Sequence, residues 1–240
     1  MKLPPAQRWL IVNADDLGLS AGTNRGIFHA HEHGIVTSAS LMVRRAAARE
    51  AVEISSCFPR LSLGLHVDLG DWSWRDGQHR QTNPVVSPAD VAGVEAEIRR
   101  QLERFEQLIG RGPTHLDSHQ HVHRDPLLRP VFRKIAGRLK VPLRNFNPHV
   151  AFCGDFYGQD NGRPRADWVA PANLCRLIQQ LPPGVTELAC HPGLDAELDS
   201  DYREQRPQEV QTLCHPAVRA ELERGGILLR SFGDLQPVAK

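Results

Sequence analysis

The sequence predicts an α/β fold organised around a mostly parallel sheet. Three observations predict it. Short apolar runs alternate with amphipathic stretches about seven times along the chain, the pattern of repeated β-α units. No fixed-period repeat, low-complexity tract or charge block interrupts the alternation. Acids and histidines gather where the apolar runs end, which is where parallel α/β folds place their chemistry. A doubly wound sheet and a closed barrel both satisfy this pattern.

Each element has its own local reason. Trp9 to Ala14 reads as a buried strand, and Ser20 caps a helix that runs to Gly34. Val36 to Val43 reads as a strand, an alanine-rich helix ends before Pro59, and Leu61 to Val67 is the next strand. The clearest helix starts at Ser87-Pro88. Val91, Val94, Ile98, Leu102, Phe105 and Ile109 then form one apolar stripe. Thr114 to Ser118 is a short strand. Asp125-Pro126 opens a helix with Leu128, Val131, Phe132, Ile135 and Leu139 on one face. Val141 to Phe146, Val185 to Cys190 and Gly226 to Phe232 are strand-like, with helices at Pro171–Leu181 and His215–Arg224.

Composition excludes several functions. The chain has 240 residues, with 29 Lys+Arg against 28 Asp+Glu, a net charge of +1. That balance argues against nucleic acid or an anionic membrane as a partner held by bulk charge. No run approaches the roughly 18 apolar residues of a membrane helix. Met1 to Gln7 does not read as a secretory signal. Five scattered cysteines with no C-x-x-C pair point to reduced thiols in a cytoplasmic protein. No G-x-G-x-x-G follows the first strand, and no P-loop occurs.

The chemistry-bearing residues sit at four strand exits: Asn13-Ala-Asp15-Asp16, Gly64-Leu-His66-Val-Asp68, His115 to His123, and Cys190-His191-Pro-Gly193. At a strand exit Asp15 and Asp16 can both reach one site. One carboxylate then ligates a divalent cation and the other takes a proton from water that the cation acidifies. The same pair also reads as a turn and cap before the Ser20 helix. His119, His121 and His123 alternate, so an extended segment puts them on one face, with His115 and Asp117 in the same row. One of them can ligate while others orient it or contact substrate, although H-x-H also occurs in solvated loops. An Asp-His-His set leaves open metal positions for water and a substrate oxygen. His191 is placed to give a proton to a leaving group, or is a buried structural histidine before Pro192-Gly193.

Several stretches are read together: Val12-Asn-Ala-Asp-Asp-Leu-Gly-Leu-Ser20, Gly34-Ile-Val-Thr-Ser38, Gly64-Leu-His66, Pro113 to His123, His191-Pro-Gly193, the tail residues Tyr202, Arg206 and Glu209, and Gly226 to Phe232. Through them the chain resembles the YdjC-like carbohydrate deacetylases, which include chitooligosaccharide deacetylase and hopanoid-associated deacetylase-like proteins. The resemblance spans essentially the whole chain, and Thr114–His123 is its most specific block. It implies a distorted (β/α) TIM-like barrel over residues 1–240, one domain, often a homodimer. It also implies removal of acetyl groups from N-acetylated sugars with one divalent metal ion, magnesium or zinc. Asp16, His66 and His119 match the metal-ligand positions, Asp15 the general base and His191 the general acid. Asp117, His121, His123 and Arg144 match neighbouring positions. Arg144 would bind an anionic intermediate or hold Asp15 ionised.

The chain departs from the family pattern in three places. Leu17 replaces a usual Phe, and Gln120 stands where a His is common. Residues 71–87, beginning Asp71-Trp-Ser-Trp-Arg-Asp-Gly77, replace a Gly-x-Pro-hydrophobic stretch and read as part of the substrate mouth. Trp72 and Trp74 there either stack on a sugar ring or anchor the loop, and Trp168 has the same two readings. Two other functions fit a similar barrel. A metal-dependent phosphoesterase would hold two or three metals, usually with H-x-H rather than Asp-Asp at the first strand exit. A non-catalytic sugar-binding barrel would have no need of the full Asp15, Asp16, His66 and His119 set.

Overall fold

The computed structural model describes residues 7–75, 78–194 and 202–235, with the backbone alone described over 72–75 and 78–80. In chain order, β1 (Arg8–Leu17), α1 (Ala21–Glu32), β2 (Ser38–Leu41), α2 (Ala48–Ser55) and β3 (Ser62–Val67) form the first repeats. An antiparallel pair, β4 (Trp72–Arg75) and β5 (Gln78–Gln81), precedes the long helix α3 (Val91–Ile109). Next come β6 (Leu116–Ser118), α4 (Arg129–Leu139), β7 (Val150–Cys153), the small pair β8 (Gln159–Asp160) and β9 (Arg163–Pro164), and α5 (Pro171–Gln179). Strand β10 (Gly184–Cys190), α6 (Gln205–Leu213), α7 (Pro216–Arg224) and β11 (Ile227–Leu229) follow.

Seven strands make one parallel sheet in the order β6-β3-β2-β1-β10-β7, with β11 also on β1. Arg8 to Leu10 pairs with both β10 and β11, so those two strands lie on opposite edges of β1. Strand β2 takes over the β11 edge from Asn13 onward. The sheet curls into an incomplete barrel, which is the expected fold. All strand exits therefore open on one rim.

The apolar periodicity of the sequence is what fills the core. Leu10, Val12 and Ala14 of β1 are fully buried, as are Val94, Ile98 and Phe105 on the α3 stripe. Ser20 caps α1 by accepting from the Thr23 amide at 3.0 Å, and Gly110, with φ 77°, ends α3. Among the described residues no helix is long and apolar enough to cross a membrane.

Several elements differ from expectation. Val141 to Phe146 is not a strand. Only Leu143 bridges β6, because Arg144 to Phe146 turn back and Asn145 takes a left-handed φ of 65°. The outer strand beside β10 is β7 instead. Helix α4 begins at Arg129 rather than Asp125, whose carboxylate accepts from the Leu127 amide and closes a turn.

Candidate active site

The end of β1 carries two consecutive inward carboxylates. A regular strand would point them to opposite faces. The β1–β2 register shifts between Ala14 and Leu17, and Asp16 adopts a φ of 67°, so the alternation breaks and both Asp15 and Asp16 are 2% exposed.

Asp16, His66 and His119 place ligand atoms within 4.8 Å of one another. Asp16 Oδ1 lies 3.4 Å from His66 Nε2 and 3.2 Å from His119 Nδ1. His66 Nδ1 donates to Asp117 Oδ1 at 2.8 Å, across the β3–β6 register that sets the two residues side by side. That bond fixes the ring proton on Nδ1. In a neutral His66 the Nε2 lone pair then faces the Asp16 carboxylate, and two acceptors meet with nothing between them. A proton or a cation must separate them. Burial opposes the charge on His66, but Asp117 and Asp15 override it and raise its pKa to about 10. His119 is raised in the same way by Asp16 and Asp71 against the cost of burial. One carboxylate and two imidazoles, with a carboxylate behind one imidazole, are a donor set that fits a divalent ion such as zinc.

Arg144 joins the second half of the site. Its guanidinium donates to Asp15 through Nη1 at 2.6 Å and Nη2 at 2.7 Å, and to Glu187 through Nε at 2.7 Å. Nη2 is also 2.8 Å from Asp117 Oδ2. Burial disfavours ionised Asp15, yet Arg144 overrides it and holds the carboxyl below its usual pKa. Burial pushes Glu187 up to about 7 despite Arg144. Asn13 Nδ2 donates to Asp15 at 2.9 Å and to Ser40 at 2.8 Å, and Ser40 donates to Asp117 at 2.6 Å. Arg206 on α6 donates to Asp16 Oδ2 at 2.6 Å. Four buried carboxylates thus face two guanidiniums, an excess of negative charge that two imidazoliums or one divalent cation would close.

His191 stands on the far side of Asp15, its Nε2 3.8 Å from Asp15 Oδ2. Burial lowers its pKa to about 4, so it is neutral near pH 7. Its Nδ1 is buried and without a hydrogen-bond partner among the described residues. The backbone of this loop is held from two directions. Its amide donates to Glu209 on α6, and a Cβ on Gly26 of α1 would fall 2.4 Å from the Gly193 Cα. Only two glycines allow that approach.

The structure does not form the expected histidine row. The strand ends at Ser118, and residues 119–124 wind into a 3₁₀ segment with Gln120 and His121 at φ 51° and 55°. Of the row, only His119 joins Asp16 and His66. His121 packs edge-on to Phe152 and His123, and burial lowers its pKa to about 3. His123 is fully buried, bonding Ser118 Oγ at 2.6 Å and Asn145 Oδ1 at 3.2 Å. His115 stacks on Phe232 with centroids 3.9 Å apart, over Gly64, where a Cβ would meet its ring at 2.4 Å. The Trp72 and Trp74 side chains lie outside the described residues. Trp168 has the Arg165 guanidinium over its ring at 4.2 Å.

Sequence reasoning gave no role to Arg206, Glu209, Glu187, Asp71, Asn13 or Ser40. Asp71, which lies 3.5 Å from His119 Nε2, stands inside the 71–87 departure. Arg206 and Glu209 belong to the tail match, which was the available signal.

The chain matches known proteins over nearly all of its length. The family model described as "YdjC-like protein" matches residues 9–224. A chitooligosaccharide deacetylase from Serratia marcescens is 33% identical over 264 aligned positions, covering 95% of this chain and 100% of that protein. A carbohydrate deacetylase from Geobacillus stearothermophilus is 34% identical, covering 94% and 97%. A crystal structure from Enterococcus faecalis V583, provisionally named a cellobiose-phosphate cleavage protein, superposes with TM-score 0.77 at 25% identity, covering 97% and 100%. With a family match running from the first strand to the last long helix, this chain belongs to the YdjC-like family.

Proposed function

We propose that this protein is a metal-dependent hydrolase that removes the acetyl group from an N-acetylated sugar. The observation that carries the reading is the Asp16, His66 and His119 triplet set beside an Arg144-held Asp15 and the His191 ring. The named activities of the Serratia and Geobacillus relatives support it. Asp16, His66 and His119 would hold one divalent ion, zinc or magnesium, and the imidazole content favours zinc. Such an ion supplies Lewis acidity to the acetamide carbonyl and acidifies water.

The chain's own groups move the proton. Arg144 keeps Asp15 ionised and aimed, so Asp15 accepts a proton from the attacking water. His191, neutral at rest and 3.8 Å from Asp15, takes that proton and delivers it to the departing nitrogen. Acetate and a free amino sugar result. A second cluster, Asp15, His66 and Asp117, shares His66, but Arg144 already occupies the space between its carboxylates. That arrangement favours one ion and disfavours a phosphoesterase with two or three. The intact proton path likewise disfavours a non-catalytic sugar-binding barrel.

The reading takes residues 1–240 as one deacetylase domain, supported by a family match over 9–224 and one continuous main sheet. It places the protein in the cytoplasm, supported by five free cysteines, and as a homodimer by family resemblance. The test is acetate release from N-acetylglucosamine oligomers before and after chelation. Release that chelation abolishes and zinc or magnesium restores is expected. No acetate from any N-acetyl sugar, or phosphate release in its place, overturns the reading.

A further inference from the structure

His191 has the most exacting task in the proposed reaction, and its ring has little of its own to hold it. Its Nδ1 is buried with no hydrogen-bond partner among the described residues, and its Nε2 is 3.8 Å from Asp15 Oδ2. A histidine that carries a proton is ordinarily oriented by a bond at its second ring nitrogen. Here the ring packs edge-on against Tyr157 and Tyr202, with centroids at 5.3 Å and 5.6 Å. Such packing limits the swing of the ring, but its starting point is set by its backbone.

That backbone is anchored along its length. Pro192 has no N–H, and the other three amides of residues 191–194 all bond to helices. The His191 amide donates to the Glu209 carboxylate on α6, the Gly193 amide to the Arg206 carbonyl at 3.3 Å, and the Leu194 amide to the Gly22 carbonyl of α1 at 2.8 Å. Arg206 Nη1 donates to the His191 carbonyl at 3.4 Å. Gly26 of α1 packs on Gly193 with no room for a side chain. Within this set Glu209 is the side chain that takes the His191 amide itself. It is fully buried, and its other oxygen accepts from the Tyr202 hydroxyl. A carboxyl held at both oxygens is a fixed point for the loop.

We propose that Glu209 is the positioning residue for His191, holding its amide so that the ring stands within reach of both Asp15 and the departing nitrogen. Glu209 meets no reacting atom and acts through the loop. This inference rests on the deacetylase reading for the step that His191 serves, but not for the anchoring itself. In that step the C–N bond breaks, its electron pair goes to nitrogen, and His191 supplies the proton. An acetate ester of p-nitrophenol needs no such proton, because the phenolate departs as the anion. A displaced His191 therefore slows the amide and spares the ester, whereas damage to the fold or to the metal-binding triplet slows both.

The experiment compares wild type, Glu209→Leu, Glu209→Gln and Gly26→Ala as full-length, metal-loaded protein. Acetate release from the N-acetylglucosamine trimer and hydrolysis of p-nitrophenyl acetate are measured side by side, with hydrogen exchange of the His191 amide followed by NMR. Glu209→Leu should lower kcat on the trimer about 10²-fold, with KM and the ester rate each within about threefold. Glu209→Gln keeps a carbonyl oxygen for the His191 amide, so it should hold trimer turnover to within about fivefold of wild type. Gly26→Ala displaces the same loop from α1 without touching Glu209 and should repeat the leucine pattern, so it carries the test if the leucine variant does not fold. Protection of the His191 amide should fall about tenfold or more in the leucine and alanine variants. Unchanged trimer turnover in those two, equal losses on both substrates, or a glutamine variant as slow as the leucine one overturns the proposal. If wild type releases no acetate, exchange decides. Protection lost in Glu209→Leu keeps the anchoring while the deacetylase reading falls, and unchanged protection sinks both.

Discussion

Chelation should make the stability of this protein more steeply dependent on pH, and metal should remove the histidine share of that dependence. In the metal-free site His66 has its pKa raised from 6.5 to about 10, against burial, by Asp117 and Asp15. A histidine raised on folding adds stability that is complete below the unfolded pKa and is lost as pH climbs toward the folded value. The window therefore opens near pH 6.5 and closes near 10. Each unit is worth 1.36 kcal/mol, so the whole window spans about 5 kcal/mol and the span to pH 9 about 3 kcal/mol. His119, also raised, adds in the same direction. A divalent ion on Asp16, His66 and His119 replaces those protons, so its affinity rises with pH as the proton-dependent stability falls. Glu187 and Glu209, pushed by burial to about 7 and about 8, also cost stability as pH rises, with or without metal. The difference between the two curves isolates the histidines. Urea unfolding from pH 6 to 9, with chelator and with saturating zinc, reads it directly. Calorimetry in two buffers at pH 8 should register at least one proton released per ion bound. Parallel stability curves, or uptake of metal without proton release, would refute the assignment of His66 and His119 as ligands.

Three further outcomes follow from individual contacts. Asp15→Asn keeps the shape beside Arg144 but removes the proton acceptor, so acetate release should fall by about 10²–10⁴ with a native circular-dichroism spectrum; wild-type turnover would discard Asp15 as the base. His115→Leu should leave acetate release within about threefold of wild type while costing about 1–3 kcal/mol in urea unfolding, because this histidine packs on Phe232 and bonds Ser40 and Thr114 rather than metal. Glu187→Gln keeps a hydrogen-bonding partner for Arg144 but removes a carboxyl whose ionisation, displaced from 4.5 to about 7, drains stability across that interval. The variant should lose less stability than wild type between pH 5 and 8, by about 3 kcal/mol, and equal losses would show that Glu187 does not titrate there.

What the sequence disclosed and what it hid divide along one physical line. Residues marked by their local context were legible. Asp15, Asp16, His66 and His191 end apolar runs, the positions where a parallel α/β sheet gathers its polar groups, and the structure brings all four together. The strands β1, β3 and β10 were legible for the same reason, since burial on both faces demands continuous apolar runs. Residues defined by a distant partner were not: Arg206 meets Asp16 across 190 positions. Arg144, which meets Asp15 across 129, was named only through the family resemblance. Helix α6 escaped notice because its buried face is Gln205, Arg206, Glu209 and Thr212, so the hydrophobic period that betrays α3 is missing. That polar face is the site's back wall: Arg206 bonds Asp16, and Glu209 accepts from both the His191 amide and the Tyr202 hydroxyl. The alternating histidines misled in the opposite direction. Their period of two is real in the sequence, but two left-handed residues after Ser118 convert it into a turn. A strand would have aimed His119, His121 and His123 at one metal. The turn brings only His119 to Asp16 and His66 and buries His123 under Phe132 and Phe146, where its two hydrogen bonds, to Ser118 and Asn145, tie the end of β6 to the turn that carries Arg144. The histidine cluster is therefore one candidate ligand with its scaffolding, and the positive charge that holds Asp15 ionised comes from Arg144, which the family resemblance singled out and its own stretch of sequence does not.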